Sequence, residues 1–307
     1  MARLAAQPAL YLVGPTAVGK SDIAHELARR AGMGVISADA MMVYRGMDIG
    51  TAKPSLAERA GLVYAGLDLT APDQPFSVFD YLVSIGRETA AQGHWMVAGG
   101  TGLYVRALAE GLHDDPGMDP EIRNEAEALL AAEGFEALKA WCRSRLPGVD
   151  SQLPPGDAGN PRRWIRAVER GGCRPVRRVE ATPGRCIIGL RRERTDLEAR
   201  IVRRVDAMYR GGLLDEVTML RRRYPAWSKT ASAAIGYAEA AAVLDGTMPV
   251  EAAMERTVIR TRQYAKRQMT WFRHQLATTW IEVAADETAG SVATRVLNAW
   301  EHHGHVD

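Results

Sequence analysis

The run Gly14-Pro15-Thr16-Ala17-Val18-Gly19-Lys20-Ser21 carries the clearest chemistry in this chain, and it directly follows the apolar residues 9–13. It fits the pattern G-x-x-x-x-G-K-[ST]. Glycines at its ends let the backbone wrap an anion with N–H groups turned inward. Lys20 adds a point charge for bridging phosphate oxygens, and the Ser21 hydroxyl suits a Mg²⁺ ion. The pattern predicts a di- or triphosphate site. A second chemical group is Asp39, at the end of an apolar run and followed by the uncharged residues 40–44. A lone carboxylate beside a cradled pyrophosphate suits a general base that takes a proton from an incoming nucleophile; a helix cap or a Mg²⁺ ligand are the other readings. A third feature is Gly99-Gly100-Thr101-Gly102, where an ATPase would place a carboxylate to hold Mg²⁺ and order water. None is there, which leaves a kinase or another transferase.

These groups need elements to position them. Residues 9–13, 33–37, 95–98 and 186–190 read as buried parallel strands, each running into a chemically loaded turn. Helical patterns over 21–31, 78–91 and 103–111 separate them. Strand–helix alternation predicts an α/β fold, a doubly wound parallel sheet of P-loop NTPase-like type with its ligand at the carboxyl ends of the strands. From 113 the texture changes. Asp119-Pro120 opens a helix over 121–132, a second follows over 135–145, and a basic third runs through 162–168. Residues 114–184 are therefore expected to form a helical insertion in a core made of 1–113 and 185–307. Near the C-terminus a long helix spans about 249–276. Val258, Ala265, Met269 and Phe272 form its predicted packing face, and Arg256, Arg260 and Arg267 one of two basic stripes.

The chain has 307 residues, 47% of them hydrophobic and 25% charged, the composition of an ordinary globule. No apolar stretch approaches the roughly 20 residues needed to cross a bilayer, and too few residues precede the first strand for a secretory signal. Cys142, Cys173 and Cys186 match no zinc spacing and read as reduced thiols, so a cytoplasmic location is expected. Net charge is only +2, but residues 161–223 hold 18 arginines and no lysine against eight acids. That local excess of +10 leaves −8 on the remainder, the segregation expected of a protein that meets a polyanion.

Seven blocks, in order, resemble the tRNA dimethylallyltransferases: 14–21, 36–39, 43–54, 99–104, 160–163, 234–237 and 261–273. The resemblance covers the chain to about Arg273. It implies that the loop Gly14, Pro15, Thr16, Ala17, Val18, Gly19, Lys20, Ser21 holds the pyrophosphate of dimethylallyl diphosphate, with Mg²⁺ at Ser21. The acceptor is the exocyclic N6 of the adenine 3′-adjacent to the anticodon. Asp39 matches the residue that takes the N6 proton and Thr101 one that positions the reacting groups. Segments expected to meet tRNA are Asp39 with Ala40, Met41 and Met42; Thr101; Arg123; Arg162, Arg163, Trp164, Ile165 and Arg166; and Ala233, Ala234, Ile235, Gly236, Tyr237 and Ala238. The insertion matches a domain that closes on the anticodon stem-loop. No membrane and no obligate protein partner are implied, and nothing demands more than a monomer. Two departures stand out: Ala40 occupies a position the family usually gives to Ser, and residues 63–68 lack the family's paired histidines.

Overall fold

A computed structural model describes residues 10–91, 93–111, 119–153, 158–171 and 185–303. The chain falls into two compact units, Met1–Ala109 with Thr182–Asp307, and Glu110–Ala181. The expected boundaries at 114 and 184, and Cys173, lie outside the described residues.

In the first unit the chain runs β1 (Leu10–Val13), α1 (Lys20–Ala31), β2 (Gly34–Ala38), β3 (Tyr64–Ala65), α2 (Val78–Glu88), β4 (Trp95–Gly99) and α3 (Gly102–Glu110). The second unit holds α4 (Pro120–Glu133), α5 (Phe135–Arg145) and α6 (Pro161–Glu169). The chain then returns through β5 (Cys186–Arg191), α7 (Arg194–Arg210), α8 (Leu213–Arg223), α9 (Lys229–Ser232), α10 (Tyr237–Leu244), α11 (Val250–Gln275), β6 (Thr279–Glu282) and α12 (Ala289–His303).

All pairings in the six-stranded sheet are parallel, in the order β3-β2-β4-β1-β5-β6. The two edges, β3 and β6, were not legible in the sequence, because they are short and half exposed and so carry no continuous apolar run. β1 sits between β4 and β5, with Val13 level with Gly99 and Gly189. The strand that feeds the phosphate loop therefore ends level with the strand that feeds Gly99-Gly100-Thr101-Gly102. β2 pairs with β4 so that Ala38 is level with Gly99, which brings Asp39 alongside.

Alternate residues of each strand face opposite ways. Tyr11, Val13, Ile36, Ala38 and Val97 join a core with α3, α8, α10 and α11. Leu10, Leu12, Val35 and Met96 join a second core with α1 and α12. Both faces are covered, which is why the strands read as unbroken apolar runs rather than alternating ones.

In the second unit, Asp119 accepts hydrogen bonds from the N–H groups of Glu121 and Ile122 at the start of α4. Asn160 caps α6 the same way, with Pro161 in the first turn. Trp164 and Ile165 pack with Leu138, Cys142 and Val149 into this unit's own core.

Candidate functional site

The phosphate loop leaves β1 and enters α1 through Gly19, whose φ of 102° is open to glycine at little cost. Among the described residues the N–H groups of Ala17, Gly19, Lys20 and Ser21 take no protein acceptor. They are the orphan donors of a helix start, gathered at its positive end. Thr16 N–H is used differently: it donates to Gln268 Oε1 at 2.8 Å. Lys20 Nζ donates to the carbonyl of Pro15 at 2.6 Å. Burial pulls the Lys20 ammonium down to about 7, the neighbouring Asp39 carboxylate pushing the other way and Arg204 adding to the fall.

Asp39 follows β2 directly. Its Oδ1 accepts the N–H of Met41 at 2.9 Å, a short turn that fixes the carboxylate. Thr101 is locked to the same strand end twice: its N–H donates to Ala38 O at 3.0 Å, and its Oγ1 accepts the N–H of Ala40 at 2.9 Å. The Thr101 hydroxyl also hydrogen-bonds Tyr264, which leaves its second oxygen lone pair facing the site. The absent Ser hydroxyl at position 40 costs this scaffold nothing, because Ala40 contributes through its backbone.

A cavity of about 240 Å³ opens onto these groups. Thr16, Asp39, Thr101, Arg204 and Tyr264 supply its polar wall; Met41, Val205, Met208, Ala234 and Ile235 supply much of the apolar remainder. An apolar cavity of roughly 150 Å³ is enough to hold benzene, so a five-carbon group fits here beside the edge of a second reactant. Arg204 is half-buried, with its ordinary basicity lowered by desolvation and partly restored by Asp39. Its Nη2 donates to Thr51 O at 2.9 Å. Two cations against one carboxylate leave the empty site net positive, an arrangement suited to an anion.

Sequence reasoning missed Arg204, Tyr264 and Gln268. Gln268 is buried; it receives the loop's Thr16 N–H and donates Nε2 to Gly100 O at 2.8 Å, tying the phosphate loop to the Thr101 turn. The Tyr264 hydroxyl hydrogen-bonds Thr101 and Gln268, and burial beside Asp39 raises it to about 12. The long helix α11 is thus turned from its expected orientation. Its buried stripe is Ala253, Thr257, Thr261, Ala265, Gln268 and Phe272, while Val258 and Met269 are only half-buried. Two of its polar members, Thr257 and Thr261, line the cavity, and buried polar residues at helical spacing escape a search for apolar periodicity. Two glycines of the Thr101 turn answer to the same helix. A Cβ at Gly100 would lie 2.3 Å from Gln268, and one at Gly102 would lie 2.2 Å from the Trp271 ring.

The basic stripes are also partly spent inside the protein. Arg260 is ion-paired with buried Glu239 and donates Nη2 to Ala233 O at 3.0 Å, and Arg256 lies 3.6 Å from the same carboxylate. Glu239 in turn accepts the Gly236 N–H at 2.9 Å. This network shapes residues 233–238, of which Ala233, Ala234, Ile235 and Tyr237 line the cavity. The Tyr237 hydroxyl donates to buried Glu216 at 2.6 Å, and Glu216 also accepts the N–H groups of Asp48 and Ile49. Lys53, in the 43–54 block, is buried against Tyr44 O, Asp48 and Asp68, so it holds a loop rather than a ligand. Met42 is not among the residues lining the cavity, and its Sδ accepts the Ser37 hydroxyl at 3.6 Å.

The remaining predicted contacts belong to the second unit. Arg123 grips Glu169 through both Nε and Nη2, at 2.8 and 2.9 Å, and Arg166 adds a third contact at 2.9 Å. Arg162 and Arg163 are exposed, whereas Trp164 and Ile165 are buried in the core described above. The side chains of Trp164 and Ile165 therefore pack α6 onto this unit's core. The arginine excess over 161–223 also divides: Arg192, Arg194 and Arg210 pair with acids on their own helix or at its entrance.

Among the described residues no group of three or more His, Cys, Asp or Glu side chains is arranged to hold a metal. Ser21, exposed in the first turn of α1, stands beside the orphan amides. A Mg²⁺ ion fits here if substrate phosphate oxygens complete its shell, the usual way this ion is bound. No helix among the described residues is long and apolar enough to cross a membrane.

The sequence profile of the IPP transferases matches residues 42–275, and that of the isopentenyl transferases matches residues 8–65. The chain is 39% identical over 306 residues to the tRNA dimethylallyltransferase of Bordetella petrii, covering 95% of this chain and 97% of that one. It is 40% identical over 283 residues to the tRNA dimethylallyltransferase of Geobacter metallireducens, covering 88% and 90%. The crystal structure of a full-length tRNA isopentenylpyrophosphate transferase from Bacillus halodurans superimposes with a TM-score of 0.66 at 34% identity, over 97% of this chain and 98% of that one.

Proposed function

The chain belongs to the IPP transferase family, and on that premise we propose that it moves a dimethylallyl group from dimethylallyl diphosphate to N6 of the adenine 3′-adjacent to the anticodon, releasing diphosphate. It is an enzyme, a prenyltransferase that modifies tRNA. One observation carries the assignment of its site: a single cavity joins Thr16 of the phosphate loop, Asp39, Thr101 and Arg204, and is of a size to admit a five-carbon chain.

The chemistry follows from the two reactants. N6 of adenine is a weak nucleophile because its lone pair is delocalised into the ring. C1 of the allylic diphosphate is a ready electrophile because developing charge spreads along the allyl system. The enzyme's main task is to stabilise diphosphate as the C1–O bond breaks and its electron pair leaves with the oxygen. The loop amides, Lys20 and Arg204 do this by hydrogen bonds and charge fixed in advance. Lys20 leaves the Pro15 carbonyl to meet the diphosphate. As the N6–C1 bond forms, Asp39 accepts the proton from N6, and Thr101 orients the amine through its remaining oxygen lone pair. A Mg²⁺ ion held by Ser21 and the diphosphate would supply further charge for the leaving group.

The adenine must leave its loop to enter the cavity, which costs a few kcal/mol. Exposed arginines of the second unit, Arg162 and Arg163 among them, would offset this through phosphate contacts. A cytoplasmic location follows from the substrate.

The test is to incubate the protein with dimethylallyl diphosphate, Mg²⁺ and unmodified tRNA, then digest to nucleosides for mass spectrometry. N6-prenyladenosine at the position 3′ of the anticodon is expected. Asp39→Asn should cut the rate by about 10²–10⁴ while tRNA affinity persists. Full activity in that variant would remove Asp39 from the mechanism.

A further inference from the structure

We propose that Arg192 and Arg200 are positioning residues that hold the phosphate loop open for its diphosphate by taking the carbonyls of Val18 and Ala17. The inference rests on the donor-site reading above. Arg200 Nε donates to Ala17 O at 2.8 Å, and Arg192 Nε donates to Val18 O at 2.9 Å. Two consecutive loop carbonyls are thus drawn outward by two guanidinium groups that arrive from α7 and the end of β5, more than 170 residues along the chain. In the Val18–Gly19 peptide, holding the carbonyl outward turns the Gly19 N–H inward, one of the amides left without a protein acceptor, while the Ala17–Val18 peptide is fixed at both ends, its N–H donating to Pro15 O at 3.4 Å.

The loop needs such a restraint. Ala17 has a φ of 64°, in the left-handed region, which costs a non-glycine residue on the order of 1 kcal/mol. Left alone, the loop can relieve that strain by rotating a peptide, which would aim a carbonyl at the anion. The restraint is itself braced. Arg192 Nη1 is held by Asp196 Oδ2 at 2.9 Å and by Ala284 O at 2.7 Å, so the guanidinium is anchored on three sides. The outer ends of both groups approach Gly19: a Cβ there would lie 3.6 Å from Arg200 Nη2 and 3.8 Å from Arg192 Nη2. They therefore also keep two positive charges against the back of the cradle, and neither needs to touch the substrate.

The experiment measures binding of inorganic pyrophosphate by calorimetry, together with donor KM, kcat, tRNA affinity and Tm, for the wild type, Arg200→Met, Arg192→Met and Arg200→Lys. Loss of a charge-assisted hydrogen bond to the loop should weaken pyrophosphate binding about tenfold or more in each Met variant. Donor KM should rise more than kcat falls, and tRNA affinity and Tm should stay near wild type. Arg200→Lys, which keeps a donor and a charge, should recover most of the affinity. Wild-type pyrophosphate affinity in both Met variants overturns the inference. So does a loss shared equally by tRNA binding and Tm with no recovery in Arg200→Lys, because that is general destabilisation. A wild-type chain that does not bind pyrophosphate brings down the donor reading itself, whereas a wild type that binds beside unaffected variants brings down only the role given to these arginines.

Discussion

Raising the pH from 6 to 9 should weaken pyrophosphate binding through one residue, Lys20. In the empty site the ammonium titrates at about 7, chiefly because it is desolvated. A bound diphosphate favours the charged form, so the bound pKa lies well above 7. The sign follows directly. Below pH 7 Lys20 is already protonated and binding needs no proton. Above pH 7 the free site has lost the proton and must take one up as the anion enters, so affinity falls tenfold per pH unit until the bound pKa is reached. Two units at about 1.36 kcal/mol each set an upper bound of about 100-fold between pH 7 and 9. Calorimetry in buffers of different ionisation enthalpy reads this twice, as the change in Kd and as net proton uptake. The ligand's own ionisation contributes to both, and Lys20→Arg, which stays charged throughout, supplies that baseline. The uptake and the slope should be larger in the wild type than in Lys20→Arg. Identical slopes in the two proteins would refute the reasoning, since the titrating group would then lie elsewhere.

Three further outcomes are expected. Gly102→Ala places a Cβ 2.2 Å from the Trp271 ring and should cost about 1–3 kcal/mol in urea unfolding; combined with Trp271→Leu the penalty should shrink, as it would not if the glycine served a ligand. Arg260→Ala leaves the buried carboxylate of Glu239 with only the Gly236 N–H and the more distant Arg256, so a loss of about 3 kcal/mol is expected. The double variant Arg260→Leu with Glu239→Leu should be more stable than Arg260→Ala in the same denaturation assay. Glu169→Gln breaks the charge pairing of Arg123 and Arg166; a change in tRNA affinity without any change in pyrophosphate affinity, read by filter binding and calorimetry, is expected.

By itself the sequence determined where the chemistry begins. The Gly14–Ser21 loop, Asp39 and Thr101 each stand at the end of an apolar run, and a local signal of that kind survives without knowledge of the fold. That the inner strands are parallel followed from the same runs, because strands buried on both faces must be apolar throughout; their order did not. The cap at Asp119 was legible for the same local reason. Tertiary structure alone decided what completes the site. Arg204, Tyr264 and Gln268 sit on helices whose polar residues recur at helical spacing, a pattern that any solvated face shares. Only the packing of α7 against α11 brings Arg204 and Tyr264 to the cavity wall and Gln268 to the phosphate loop. Packing also separated charges that look alike in the sequence: Arg260 and Arg123 serve buried glutamates, and Lys53 serves a loop. Local order is written in neighbouring residues, but the partner of a buried charge is chosen by how the chain folds back on itself.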